Sequence, residues 1–468
     1  MPEKIIITIL LLICLGQVWA IFHGRLTAAI YYCSVAPLGY FSVWKFGTWS
    51  PDLLCGLLLI VAGLLVFRRT PGIPRFGRHR LVFFLVFLIL NTLVGSVLWP
   101  IGSMAGKSAV YGQLRGVGQI LNWLIIIGAA WQIGIAFSQT GGFEKARKVI
   151  IGVGVLHSVY ALYQVIAFYL SLPMTGIRRP YSGIVADVMN EHFAAFQMGG
   201  ATIYRASSLI GEPKGLGVIS LVWIAALLTL LMEGKTRHRS RTTWALFLSL
   251  VVMFLTYSTS AWIGFVGMMA IALWTLRNRF ASRLARLLLL LALLIGGLAI
   301  VNFSGVLPKT PGGIISIVQE RTTGREYLRD MPEIEAIQVL AEHPWMILSG
   351  TGLGGMSFYI ARNLGGSDII LFPNTGLLAY ISDMGLIGIT LLIFSLRGGL
   401  RPTLTPSTQS DEITRSLSFI GTVCLMQTFI FSAGILMFGL AFLLAAEFRR
   451  CSLRSVRAAA LWPRKEYQ

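Results

Sequence analysis

Seven arginines fall in two long connections of this chain: Arg178, Arg179, Arg205, Arg321, Arg325, Arg329 and Arg362. A guanidinium group is a planar fork of N–H donors. It can hold two phosphate oxygens at once, where an ammonium acts as a point charge. Arg205 lies eight residues before Pro213, which opens an apolar stretch, so it stands where an unpaired charge is costly. Arg325, in Thr323-Gly324-Arg325-Glu326, precedes an amphipathic stretch. These two arginines suit a diphosphate at a membrane surface, with Lys214 as a further ligand beside the same helix start. Arg178, Arg179, Arg321 and Arg362 read first as ordinary solvated loop charges, with Arg321 kept as a substrate-binding candidate.

Two glycine-rich stretches accompany the charges. In Arg205…Gly211-Glu212-Pro213-Lys214-Gly215-Leu216-Gly217, Pro213 fits the first position of a helix. A helix start attracts anions, and Glu212 at that start is equally well placed as a structural cap. In His343-Pro344…Gly350-Thr351-Gly352-Leu353-Gly354-Gly355, the glycines let backbone approach a ligand or merely shape turns. No strand precedes them, so a dinucleotide fingerprint is excluded. His343 and His192 are more often loop histidines than catalysts.

The elements that must position these groups are membrane helices. Of 468 residues, 55% are hydrophobic and 12% charged, against about 25% charged in a soluble domain. In lipid every backbone polar group must be paired within the chain, and the long unalternating apolar runs select helices over barrel strands. The predicted fold is an all-α, polytopic transmembrane bundle of about 12–13 spans. They lie near 5–22, 27–45, 52–67, 81–99, 114–138, 149–171, 213–232, 243–257, 259–276, 286–304, 372–396, 414–430 and 434–448. The stretches 243–276 and 414–448 are read as pairs of short helices, because Tyr257–Ser260 and Phe431–Gly434 offer turns. The first helix is read as retained rather than as a cleaved signal.

The net charge of +20 reads as the positive-inside bias rather than as nucleic-acid binding. Basic clusters at 68–80, 145–148, 235–241, 277–286 and 449–465 share one face, which puts the C-terminus in the cytoplasm. The connections 172–212 and 305–371 lie on the opposite face, and the second holds an amphipathic helix with Ile334, Ile337, Val339 and Leu340. Cys14, Cys33, Cys55, Cys424 and Cys451 show no metal-ligand or redox spacing, and no metal or other cofactor is expected.

Three stretches in this order resemble the O-antigen ligase and polysaccharide polymerase superfamily. They are Arg205…Gly211-Glu212-Pro213…Gly217, then Gly324-Arg325…Glu342-His343-Pro344…Gly350-Thr351-Gly352-Leu353-Gly354, then Pro373-Asn374…Asp383-Met384-Gly385-Leu386-Ile387-Gly388. A weaker match is Thr256–Trp262, which lacks an arginine the family often has. The family's ligases carry a histidine where this chain has Pro373, and its glutamate is Asp383 here.

The resemblance implies a membrane glycosyltransferase that uses undecaprenyl-diphosphate-linked glycan donors on the periplasmic face of the bacterial inner membrane. The acceptor would be a glycan or a lipid-linked glycan. Chain-length regulator and flippase proteins are the expected protein partners, and nucleic acid is not. Arg205, Arg325 and Lys214 would hold the diphosphate. Glu212 is the first candidate base and Asp383 the second, with Arg321, Asn374 and His343 as further substrate contacts. The missing histidine favours a polymerase over a ligase. A transporter would instead require internal repeats or charges at the midplane, and a scaffold would require no clustering of arginine and acid. The chain divides into helices at 1–204, central helices at 205–304, a periplasmic loop at 305–371, C-terminal helices at 372–448 and a basic tail at 449–468.

Overall fold

The computed structural model describes residues 3–38, 51–68, 70–103, 109–173, 195–198, 201–210, 212–233, 239–258, 260–275, 327–366, 372–373, 375–404, 411–430 and 435–461. They form an α-helical polytopic membrane protein. The first six helices are α1 (Glu3–Phe22), α2 (Arg25–Val35), α3 (Pro51–Leu65), α4 (Leu81–Leu98), α5 (Ala109–Ser138) and α6 (Gly142–Tyr169). There follow α7 (Pro213–Glu233), α8 (Arg239–Leu255) and α9 (Ser260–Thr275). The rest are α10 (Tyr327–Glu342), α11 (Trp345–Ser349), α12 (Met356–Asn363), α13 (Gly376–Leu404), α14 (Glu412–Ile430) and α15 (Leu436–Leu461). Among the described residues, five helices are long and apolar enough to span a bilayer by themselves: α4, α5, α6, α7 and α13. The span predicted at 286–304 lies outside the described residues.

Both stretches read as helix pairs are pairs. α8 and α9 are separated at Thr256–Ser258, where Tyr257 has φ +46°, and α14 and α15 are separate helices. The connection 172–212 is not all loop. β1 (Ala195–Met198) pairs antiparallel with β2 (Ala201–Tyr204), which adds one short hairpin to the predicted all-α architecture.

The chain forms two compact units, residues 1–153 with 332–468, and residues 154–331. In the first, α5 packs on α15, which packs in turn on α14 and α13. α10 is amphipathic as predicted, but its buried stripe is Ala336, Val339 and Leu340. Ile334 and Ile337 are exposed. In the second unit α7 packs on α8. Leu221 through Leu228 are all buried, which explains why α7 is apolar around its whole circumference.

Candidate functional site

In the unit 154–331, one loop carries three of the predicted residues. The chain leaves β2 into Arg205, which is half-buried, and the Arg205 Nε–H donates to the Thr256 carbonyl at 3.0 Å. The next residue repeats the contact through backbone, with Ala206 N–H donating to the Leu255 carbonyl at 3.0 Å. Both acceptors stand where α8 ends, and a helix end leaves carbonyls without internal donors. Arg205 is therefore oriented by a need of the neighbouring helix.

Three residues later the loop is fastened to α6. Ser208 holds φ +53°, its N–H donates to Gln164 Oε1 at 2.7 Å, and its hydroxyl donates to the His157 carbonyl at 2.9 Å. The His157 ring stacks on Trp223 of α7, with centroids 5.4 Å apart. Such a fully bonded buried serine pins the segment in one conformation.

Glu212 and Lys214 flank Pro213 at the start of α7, and both are half-buried. The Glu212 carbonyl accepts the first helical bond, from Leu216 N–H at 2.9 Å, so Glu212 occupies the cap position expected of it. Gly217, one turn on, lies against the turn between α8 and α9. A Cβ there would come 2.8 Å from Ala261 Cβ and 2.9 Å from Thr256 Oγ1. The stretches Arg205–Gly217 and Thr256–Trp262, distant in sequence, are one locus. Arg321 and Arg325 lie outside the described residues.

The unit formed by 1–153 and 332–468 builds a second locus around Asp383. α13 is kinked at Gly385, with φ 63° and ψ −178°. The kink removes helical donors from the carbonyls before it, and the glycine-rich loop supplies others. Thr351 N–H donates to the Ser382 carbonyl at 2.7 Å and Gly352 N–H to the Asp383 carbonyl at 3.0 Å, while Asn91 Nδ2 of α4 reaches the same Asp383 oxygen at 3.2 Å. A Cβ on Gly385 would collide with the Leu348 carbonyl, and one on Gly350 would come 2.5 Å from Asp383 backbone carbon. These two glycines permit backbone to touch backbone.

The Asp383 side chain faces the same loop, and Gly354 N–H donates to its Oδ1 at 2.9 Å. Arg115 of α5 interacts electrostatically with Asp383. Its guanidinium lies 5.8 Å from the Phe358 ring, and its Nη1 is buried without a hydrogen-bond partner. Sequence reasoning passed over Arg115, although an arginine inside an apolar span is itself a signal. Trp99 closes the loop from α4, donating from Nε1 to the Thr351 carbonyl at 2.7 Å and stacking on Phe358.

His343 is half-buried, with its ring 6.0 Å from that of Tyr359. Burial pushes the Tyr359 phenol above its ordinary pKa, so it stays protonated and donates to the Leu98 carbonyl at 3.2 Å. Pro373 is buried, and Asn374 lies outside the described residues. Glu333, one of the acidic residues of the amphipathic α10, accepts Thr375 N–H on its Oε1 at 3.2 Å at the start of α13. A carboxylate is favourable at a helix N-terminus.

The two loci differ in chemical character. Asp383 is held by a loop amide and shares its surroundings with an arginine, which suits a group that fixes the loop in place. Arg205 sits where α8 ends, and Glu212 and Lys214 flank the start of α7, so this segment offers a guanidinium, a carboxylate and an ammonium, groups that suit an anionic ligand and proton transfer. No curated protein matches the chain. Residues 244–393 match the family model described as O-antigen ligase. That segment, about a third of the chain, includes Asp383 and His343 but neither Arg205 nor Glu212. The chain is thus a multi-pass helical membrane protein in which residues 244–393 are similar to the O-antigen ligase family model.

Proposed function

We propose that the protein polymerises undecaprenyl-diphosphate-linked oligosaccharide repeats into O-antigen or exopolysaccharide at the periplasmic face of the inner membrane. What supports this reading is the anchoring of Arg205 on the Thr256 carbonyl, in the segment that leads to the Glu212-Pro213-Lys214 helix start, together with the O-antigen ligase match. In the reaction, a hydroxyl of the acceptor sugar attacks the anomeric carbon of the donor. The bond from that carbon to the diphosphate oxygen breaks as the new glycosidic bond forms. Arg205, with Arg325 and Lys214, stabilises the charge gathering on the departing diphosphate. Glu212 takes the proton from the attacking hydroxyl. Arg205, Glu212 and Lys214 all belong to the unit 154–331.

A second reading, ligation of finished glycan to lipid A-core, is favoured by the description of the matching family. Against it stands Pro373, whose side chain can neither accept a proton nor donate a hydrogen bond.

Complementation tests the clamp. A strain lacking the gene and carrying Arg205→Ala should make no polymeric surface glycan, although the protein reaches the membrane at its normal level. Loss of one charge-stabilising donor costs about 10²–10³ in rate. Arg205→Lys should restore little, because lysine lacks the fork. Glycan at wild-type level in the alanine strain would exclude the proposed role of Arg205.

A further inference from the structure

Beyond this reaction, four further arginines stand as two pairs on neighbouring helices. Arg397 and Arg401 are four residues apart near the end of α13, and Arg450 and Arg454 are four apart on α15. Residues at that spacing stack on one helix face. Arg397 lies roughly 18 Å along the helix axis from the Gly385 kink, at about 1.5 Å per residue. With Arg80, the residue before α4, these four arginines line one cavity of about 550 Å³, and one carboxylate, Glu447, stands among its lining residues.

Glycines bring the two pairs face to face. A Cβ on Gly398 would collide with the Glu447 carboxylate, and one on Gly399 with the Leu443 carbonyl, so α13 and α15 approach through backbone. Arg450 Nη1 donates to the Gly398 carbonyl at 2.7 Å and ties the helices together. The neighbouring Arg449 points elsewhere, to Asp411 Oδ2 at 2.7 Å. Arg80 and Arg397 share the Phe394 ring, with guanidinium carbons 5.6 and 4.4 Å from its centroid. That ring is 46% exposed, and Leu404 in the cavity wall is 58% exposed.

Five guanidinium groups around one carboxylate repel one another in the absence of an anion. The occupant must therefore bring several negative charges. It must also cover apolar surface, because Phe394 and Leu404 lie exposed beside the charges. Forked donors select phosphate oxygens, and basic pockets between spanning helices suit lipid headgroups. We propose that this cavity binds the headgroup of an anionic phospholipid carrying two phosphodiesters, with its acyl chains along Phe394 and Leu404.

The test is native mass spectrometry and thermal melting of the purified full chain with diphosphatidylglycerol, phosphatidylcholine or inorganic pyrophosphate. Diphosphatidylglycerol should bind selectively over phosphatidylcholine and raise the melting midpoint. The double variant Arg397→Gln/Arg454→Gln, which alters two exposed side chains, should weaken that binding about tenfold while melting like wild type without lipid. If the double variant does not fold, Arg80→Gln on a separate element provides the comparison, and it too should bind the lipid more weakly. Unchanged binding in the folded variant would overturn the proposal. So would pyrophosphate raising the midpoint as much as the lipid does, since the apolar border would then contribute nothing.

Discussion

Glu212 and Asp383 are both carboxylates at places where apolar helices meet loops, and their surroundings separate their roles. Asp383 accepts Gly354 N–H at 2.9 Å and interacts with Arg115. Asparagine at 383 would keep an acceptor for that amide, so Asp383→Asn should slow chain extension by less than about tenfold, the size of one modest hydrogen-bond change. Glu212→Gln removes the only base assigned to the reaction and should slow extension by about 10²–10⁴ at an unchanged melting midpoint. Rates of glycan extension by the two purified variants check this, and a reversal of the two effects would assign the base to Asp383. Arg205 was legible in the sequence as a charge beside an apolar helix. Its partner on Thr256 was not, because no spacing rule links residues 51 positions apart. Arg115 carried the same kind of signal as Arg205 but sat inside a run read only for its length.

At the level of elements, most helices follow from apolar length, and the turn at Tyr257 follows from its polar neighbours. The kink in α13 does not. Gly385 lies in a stretch that reads as continuous helix, and the break is explained only by the loop of Leu348–Gly354 packed against it. Gly385→Ala should destabilise the protein through its positive φ, by roughly 1–3 kcal/mol, with the collision at the Leu348 carbonyl adding to this. Thermal melting in detergent should show a midpoint clearly below wild type, and an unchanged midpoint would mean that α13 straightens without cost. The hairpin of β1 and β2 had a readable cue. Gly199-Gly200 separates two four-residue strands, and a two-glycine loop is a known hairpin connection. The length of the 172–212 connection drew attention to function instead.

For the whole molecule, composition and hydropathy were enough to establish a multi-pass helical protein, since a chain this apolar and this poor in charge has no soluble alternative. The division into two compact units was not legible. Residues 332–468 join 1–153, and sequence order says nothing of such a return. The order of three loose motifs pointed to the O-antigen ligase and polymerase superfamily, and the match at 244–393 supports the last two of them. The identity of the acceptor separates polymerase from ligase, and one reconstitution decides it. Purified protein in liposomes would receive undecaprenyl-diphosphate-linked repeat units as sole substrate, with products resolved by mass spectrometry. A polymerase should yield a ladder of longer lipid-linked chains and release undecaprenyl diphosphate, both abolished by Arg205→Ala. No extension in this mixture, followed by transfer once lipid A-core is added, would contradict the polymerase reading.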